Sequence, residues 1–158
     1  MSGTNLVIRP FTAADQAAAR RLILDGLAEH FGWLDETLNP DLDDIAAHYV
    51  ARGALFVVAE IAGVPVGTGA LVAEGPGGRL ARISVAPAHR RRGVGRALVA
   101  HLVGAAQARG WPQVLVETND DWYDAIALYQ RYGFREYTRA AGEVHMVLDL
   151  ATPPAPGL

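Results

Sequence analysis

The chain has 158 residues, a formal net charge of −3 and no cysteine, and 51% of its residues are hydrophobic. This length suits one domain with a single buried core. The lack of cysteine excludes disulfides, iron–sulfur ligation and a thiol nucleophile. The negative net charge disfavours a general nucleic-acid binder, which would carry a basic surface. Neither a secretory signal nor a run of about 18 apolar residues is visible, so we expect a cytoplasmic protein without a membrane partner.

The first half of the chain predicts one strand, two helices and then a hairpin. Thr12 is a candidate N-cap for the first helix, and Gly53 ends the second. The two strands of the hairpin are apolar and rich in β-branched residues. The predicted strands cover 6–8, 55–61 and 66–73, and the predicted helices cover 13–29 and 41–50.

The second half predicts a strand and a helix in alternation, followed by a strand pair. Gly110 and Pro112 end the longer helix, and Gly133 ends the shorter one. The predicted strands cover 80–85, 114–117, 134–138 and 144–150, and the predicted helices cover 93–109 and 121–132. Residues 151–158 contain three prolines, which predicts a disordered tail after a single domain at 1–150.

This order of elements predicts an α+β fold built on a mixed, mainly antiparallel sheet. Consecutive strands at the front favour antiparallel pairing, whereas the helices between later strands favour at least one parallel crossover. About six or seven strands would be flanked by about four helices.

The most informative segment is 83–98, where a strand runs through a glycine-bearing turn directly into a long helix. The first turn of a helix leaves backbone N–H groups unpaired, and the helix dipole adds partial positive charge there. Gly93 and Gly95 would let a phosphate approach this backbone, and the neighbouring arginines would attract it. The segment therefore indicates a pyrophosphate site.

Two other interpretations of these glycines are possible. The first is a solvated, charged turn before a helix, since short glycine motifs are weak evidence. The second is a dinucleotide-binding fold with Glu117 as the ribose-binding acid, but Leu98 stands where the third glycine should be. A P-loop is excluded, because no lysine followed by serine or threonine closes the glycines.

Two motifs in this half resemble those of the GCN5-related N-acetyltransferase (GNAT) superfamily. Val85-x-Pro87-x-x-Arg90-x-x-Gly93-x-Gly95 is similar to its acetyl-CoA signature. Residues 125–134 are similar to its tyrosine-containing helix with a Gly-Phe ending. The resemblance implies a GNAT-like fold, with the parallel crossover at the acetyl-CoA site and acetyl-CoA as co-substrate.

The resemblance also implies roles for individual residues. Backbone amides of the turn and first helical residues would hold the pyrophosphate, and the main chain of Ser84 and Val85 would pair with the pantetheine arm. The Val85 N–H would polarise the thioester carbonyl. The residues implied in acetyl-CoA binding are Ser84, Val85, Arg90, Arg91, Arg92, Gly93, Val94, Gly95, Arg96, Asn119 and Trp122.

Two side chains are candidates for proton transfer. The resemblance implies that Tyr129 protonates the departing thiolate, although its helical spacing alone favours a core tyrosine. Glu117 is the best candidate for the general base, acting directly or through water, and its alternative is a polar cap at a strand end. Arg79 stands where many relatives supply an acid, and Arg82 lies further along the same strand. Either could contact substrate or lie on a solvated strand edge.

The stretch 29–40 mixes aromatic and acidic residues, which suits a cationic or amine substrate. The candidate acceptor wall consists of Phe31, Trp33, Asp35 and Glu36. A plain interhelix loop with packed Phe31 and Trp33 is the competing interpretation. The five histidines show no HxxxH pairing, so no metal site is expected.

Together these features predict an acetyl-CoA-dependent N-acetyltransferase that acts on a small-molecule amine by direct attack in a ternary complex. The alternative is a non-catalytic acyl-CoA-binding module that acts as a sensor or as a binding partner. A homodimer is possible, and no nucleic-acid partner is expected.

Overall fold

A computed structural model describes residues 5–150, apart from the side chain of Glu36; the predicted tail at 151–158 lies outside this range. The strands are β1 (Leu6–Pro10), β2 (Leu55–Ile61), β3 (Val64–Glu74), β4 (Gly77–Val85), β5 (Gln113–Asn119), β6 (Arg135–Ala140) and β7 (Glu143–Asp149). The α-helices are α1 (Gln16–Phe31), α2 (Ile45–His48), α3 (Val94–Ala108) and α4 (Tyr123–Tyr132).

The seven strands form one sheet in the order β1-β2-β3-β4-β5-β7-β6. Every neighbouring pair is antiparallel except β4 and β5, which are parallel. This confirms the predicted mixed α+β fold and its parallel crossover, which α3 makes between β4 and β5. Within residues 5–150, none of the helices has the length and apolarity needed to cross a membrane.

The inner strands of the sheet are buried on both faces, as the alternation of β2 shows. Val57 and Ala59 belong to a core that α3 and α4 complete, whereas Phe56 and Val58 belong to a second core with α1 and α2. Successive strand residues point to opposite faces, so a strand covered on both sides reads as a continuous apolar run.

The start of the first helical region is held by a network of polar side chains. The backbone N–H and the hydroxyl of Thr12 both donate to the Asp15 carboxylate, which also accepts two hydrogen bonds from Arg9 at 2.7 and 2.9 Å. These bonds lower the pKa of the buried Asp15 to about 2, chiefly through Arg9. A short 3-10 turn at Ala13–Asp15 precedes α1, so the predicted cap lies one turn before the α-helix itself.

Two predicted elements differ from the structure. The single helix predicted at 41–50 is broken into a 3-10 turn at Pro40–Asp43, the short α2 and a second 3-10 turn at Val50–Arg52. Asp44 caps α2 by accepting from the Ala47 N–H, because its side chain competes with helix continuation. The strand predicted at 80–85 begins earlier, with the glycines at 77 and 78 as the first residues of β4.

Candidate active site

The parallel strands β4 and β5 touch only at their beginnings. Gly78 pairs with Val114 and Arg79 with Leu115, and no later residue of β4 pairs with β5. A Cβ on Gly77 would lie 2.2 Å from the Gln113 carbonyl oxygen, so glycine is what permits this close approach. Beyond that point the strands separate, which leaves the edge of β4 from 80 to 85 facing an open gap.

Two cavities border this gap. The larger, of about 1280 Å³, lies among α1, the later part of β4, the start of α3 and the segment from β5 into α4. The smaller, of about 610 Å³, lies between the segment around α2 and strands β3, β4, β5 and β7. Both volumes are in or near the range of small-molecule sites. The residues that line both cavities are Leu80, Ala81, Arg82 and Glu117.

A β-bulge in β4 shapes the edge beside the larger cavity. The register against β3 shifts by one residue between Thr68 and Ala70, and Arg82 in β4 has a left-handed φ of +55°. The buried Thr68 hydroxyl donates to the Arg82 carbonyl at 2.8 Å, which satisfies an acceptor that the bulge takes out of the ladder.

The main chain of Val85 faces the gap. The Ala86 N–H donates to Val66 of β3 at 2.8 Å, so strand alternation directs the N–H and C=O of Val85 away from β3. The Val85 carbonyl accepts a hydrogen bond from Arg90 Nε at 3.1 Å. Ser84 also lines the larger cavity, and its hydroxyl donates to the Leu22 carbonyl of α1 at 3.2 Å.

The turn before α3 has the geometry of an anion site. Arg91 and Gly93 both have positive φ, at +61° and +84°, and α3 then begins at Val94 without a side-chain cap. Unpaired N–H groups and the positive end of the dipole of a 15-residue helix are therefore available to an anion. From this segment, the residues that line the larger cavity are Arg90, Arg91, Gly93, Gly95 and Arg96, whereas Arg92 and Val94 do not.

Val94 and Gly95 also have packing roles in α3. Val94 is buried in the core beneath α3. A Cβ on Gly95 would lie 3.2 Å from the Leu128 side chain, so this glycine also lets α3 approach α4 closely. Besides its bond to the Val85 carbonyl, the Arg90 guanidinium forms an ion pair with Glu29 of α1 at 2.5 Å.

Tyr129 of α4 lies at the wall of the larger cavity. Its side chain is 5% exposed and packs edge-on against Phe134, with ring centroids 5.7 Å apart. Burial raises the pKa of Tyr129 above the ordinary phenol value. Within residues 5–150 its hydroxyl has no hydrogen-bond partner, which leaves the group available to a ligand.

Asn119 and Trp122 also line the larger cavity, at the end of β5 and the start of α4. The Trp122 ring stacks on His30 of α1, with centroids 4.1 Å apart and planes 5° from parallel. His30 Nε2 lies 3.1 Å from the Asp121 carboxylate. These contacts join the end of α1 to the loop after β5 across the mouth of the cavity.

The three predicted acceptor residues whose side chains the structure describes do not line either cavity. Phe31 packs edge-on against His30 and Trp122, and Trp33 is 60% exposed. Asp35 is exposed and accepts hydrogen bonds from the backbone and hydroxyl of Thr37. The side chain of Glu36 lies outside the described part of the chain, so its predicted role stays a prediction.

Glu117 is the acid common to both cavities, and it lies beside a histidine. His145 of β7 is its register partner, with Nδ1 3.4 Å from Glu117 Oε1, and His145 Nε2 lies 4.0 Å from Glu143. These three side chains can bring ligand atoms within 4.8 Å of one another, a donor set that would also suit a divalent cation. The predicted absence of a metal therefore stays a prediction.

Arg82 belongs to a partly buried polar cluster with Asp41 and Tyr49. Burial alone would raise the pKa of Asp41, but hydrogen bonds from Arg82 and Tyr49 outweigh it and the pKa is lowered. Burial and the bond to Asp41 raise the pKa of Tyr49 to about 12. The interpretation of Arg82 as a solvated strand edge is therefore wrong. Arg79 is about one third exposed and pairs with Glu74 at 3.4 Å.

Several residues in or beside the cavities were not predicted from the sequence. Arg52, Glu143, His145 and the cluster of Asp41 and Tyr49 come from elements far apart in the chain. Asp41 and Tyr49 were predicted only as part of the helix at 41–50. The pairing of Glu117 with His145 depends on strand register, which no local motif encodes.

Comparison with known proteins agrees with this geometry. A family model described as an acetyltransferase (GNAT) domain matches residues 52–136, more than half of the chain. N-acetyltransferase family 8 member 2 of Rattus norvegicus is 37% identical over 110 residues, which cover 66% of this chain and 49% of that protein. The chain thus spans about half the length of the curated relatives it matches.

Solved structures share the fold at low sequence identity. A GNAT-family acetyltransferase from Staphylococcus aureus superposes with a TM-score of 0.84 at 20% identity, covering 92% of this chain and 99% of its own. The PaiA N-acetyltransferase of Thermoplasma acidophilum, in complex with coenzyme A, superposes with a TM-score of 0.83 at 14% identity. The superposition covers 95% of this chain and 100% of that chain. On the family match and the shared fold, the chain belongs to the GNAT acetyltransferase family.

Proposed function

We propose that this protein is an acetyl-CoA-dependent N-acetyltransferase that acetylates the amine of a small molecule. The observation that carries the proposal is that a larger and a smaller cavity share Glu117 and Arg82 beside the gap between β4 and β5. The larger cavity suits the donor, and the smaller suits the acceptor. Membership of the GNAT family supports the same conclusion.

The donor side is supported by main-chain geometry. The N–H groups at the start of α3, with Arg91 and Arg96 nearby, fit a pyrophosphate. The edge of β4 that faces the gap offers main-chain groups to an extended pantetheine arm, and the Val85 N–H would face the carbonyl that is attacked. Acetyl-CoA would supply the acetyl group as a thioester. A thiol-linked acyl-enzyme is impossible without cysteine, which favours direct attack in a ternary complex.

Glu117 is the proposed base. An alkyl ammonium with a pKa near that of lysine costs about 4 to 5 kcal/mol to deprotonate at neutral pH. A carboxylate at the junction of the cavities would accept this proton, directly or through water, as the new C–N bond forms. His145, 3.4 Å from the carboxylate, is placed to orient it and to pass the proton on.

Tyr129 is the proposed proton source for the leaving thiolate as the C–S bond breaks. Ordinary pKa values put transfer from a phenol to a thiolate uphill by about 2 kcal/mol. Burial raises the pKa of Tyr129, so full transfer costs more than that and the hydroxyl stays protonated near neutral pH. A hydrogen bond from the hydroxyl to the sulfur would stabilise the charge that develops there, and the proton would transfer as the tetrahedral intermediate collapses to amide and thiol.

The experiment that tests the proposal measures coenzyme A release from acetyl-CoA against a panel of amines, with product identified by mass spectrometry. Binding of coenzyme A is measured in parallel by thermal shift. Turnover with at least one amine supports the proposal. Tight coenzyme A binding without turnover of any amine would contradict it and favour the non-catalytic acyl-CoA-binding module. Stabilisation by NAD instead of coenzyme A would favour a dinucleotide binder.

The remaining assignments rest on the same proposal. Phe31, Trp33, Asp35 and Glu36 stay proposed acceptor contacts that would require movement of the segment after α1, because the three described side chains do not line either cavity. Cytoplasmic location, a possible homodimer and the absence of nucleic-acid, membrane or metal partners stay predictions.

A further inference from the structure

The smaller cavity is bordered by charges of both signs from different elements. The 3-10 turn after α2 contributes Arg52, and β4 contributes Arg79 and Arg82. Strands β5 and β7 contribute Glu117 and Glu143. A cavity of about 610 Å³ with this lining would place opposite charges of a small ligand against different elements.

The pairing of these charges within the protein shows which of them remain for a ligand. Asp41 neutralises Arg82 through two hydrogen bonds, and Glu74 pairs with Arg79 at 3.4 Å. Arg52, by contrast, has no ion-pair partner anywhere in the described range 5–150. One guanidinium that can bind a planar carboxylate is therefore left over.

The acids are similarly without a permanent counter-ion. Glu117 and Glu143 have only His145 within ion-pair distance among residues 5–150, and one imidazole carries at most one positive charge. Two carboxylates around one imidazole leave negative charge that an ammonium group would neutralise. Because Glu117 also lines the larger cavity, an ammonium held there would lie beside the proposed donor site.

We propose that the acceptor is an amino-carboxylate, such as a free amino acid, bound with its ammonium at Glu117 and Glu143 and its carboxylate at Arg52. The inference rests on the proposed function, since it names the substrate class of that same site. A simple amine would make no ion pair with the exposed Arg52 guanidinium, which would stay in water. An amino-carboxylate matches both unpaired charges at once.

The test compares ligands that differ in charge but hardly in shape. A panel of free amino acids is paired with the corresponding carboxamides, and binding of each is measured by thermal shift and calorimetry with saturating coenzyme A. We expect at least one amino acid to bind about tenfold or more tighter than its carboxamide, the effect of one charge-assisted hydrogen bond. Equal or tighter binding of the carboxamides throughout would overturn the inference.

Two arginine variants test whether the preference for an amino acid over its carboxamide arises in the smaller cavity. Arg52→Gln should reduce the preference for the amino acid over its carboxamide about tenfold. Arg21→Gln makes the same charge change on the outer face of α1, where the side chain is 79% exposed, and should leave the preference unchanged. A preference that survives in Arg52→Gln would contradict the assignment.

Turnover measured on the same pairs separates this inference from the proposed function. If amino acids bind with the expected preference but are never acetylated, the proposed function fails and the site assignment stands. If carboxamides or simple amines are acetylated as well as the amino acids, the acetyltransferase assignment stands and the inference on the acceptor fails.

Discussion

Arg82 donates two hydrogen bonds to the Asp41 carboxylate, from Nε at 3.0 Å and from Nη2 at 2.7 Å. Arg82 lies on the bulge of β4 and Asp41 on the 3-10 turn before α2, so the pair fixes the wall between the two cavities to the segment around α2. Tyr49 donates to the same carboxylate, and Asn39 accepts from the guanidinium. The charge of Arg82 is thus committed within the protein.

Removal of one partner from this pair should destabilise the fold. Arg82→Gln leaves the mostly buried Asp41 carboxylate without its counter-ion, and we expect a loss of about 3 kcal/mol in the free energy of unfolding. Urea denaturation measures it. Asp43→Asn is the matched control, because Asp43 is 65% exposed and its pair with Arg20 is long, so its change should stay within about 0.5 kcal/mol. Equal losses of unfolding free energy in the two variants would contradict this role of the pair between Arg82 and Asp41.

Stability should fall with acid through Asp15. Its pKa is lowered to about 2 in the folded protein, from the ordinary aspartate value of 3.8. The folded state therefore binds fewer protons than the unfolded state, and this stabilisation is present above about pH 4 and lost as the pH falls towards 2. In Asp15→Asn, the part of the pH dependence of the unfolding free energy that comes from this carboxyl should disappear. Unfolding free energies measured from pH 6 to pH 2 test the difference, and parallel curves for the two proteins would contradict it.

Coenzyme A affinity should depend on the backbone at Gly93. Its φ of +84° strains any residue with a Cβ, so Gly93→Ala should distort the turn that would hold the pyrophosphate and weaken coenzyme A binding about tenfold. Gly104→Ala is the control in the same helix, since Gly104 has open space around it and helical backbone. That change should leave affinity intact and stabilise the helix by about 0.5–1 kcal/mol.

The proposed base predicts a specific pH dependence. Glu117→Gln should lower kcat/KM about 100-fold near pH 7, because the carboxylate no longer accepts the amine proton. As the pH rises towards the pKa of the amine, more acceptor is already deprotonated, so the deficit should shrink. The pH profile of kcat/KM for both proteins measures this convergence. A deficit that stays constant with pH would assign Glu117 to binding instead.

Much of the fold could be predicted because local patterns encode it. The glycine-bearing turn before Val94 and the helix around Tyr129 appear in the sequence as continuous motifs, and the structure places both at the larger cavity. The smaller cavity was not predictable, because Arg52, Glu117 and Glu143 meet only through strand register and the broken region around α2. The acidic, aromatic stretch was predicted from its composition, which suits an amine, whereas the exposed Trp33 does not line either cavity.

The most direct test of the central claim is the turnover of Tyr129→Phe beside Tyr132→Phe, two changes on the same helix that each remove one hydroxyl. Tyr129 lines the larger cavity. The Tyr132 ring instead packs beneath the Arg96 guanidinium, whose Cζ lies 5.3 Å from the ring centre. We predict that Tyr129→Phe lowers kcat about 100-fold with coenzyme A affinity unchanged, and that Tyr132→Phe retains wild-type kcat. Wild-type kcat in Tyr129→Phe would contradict the account.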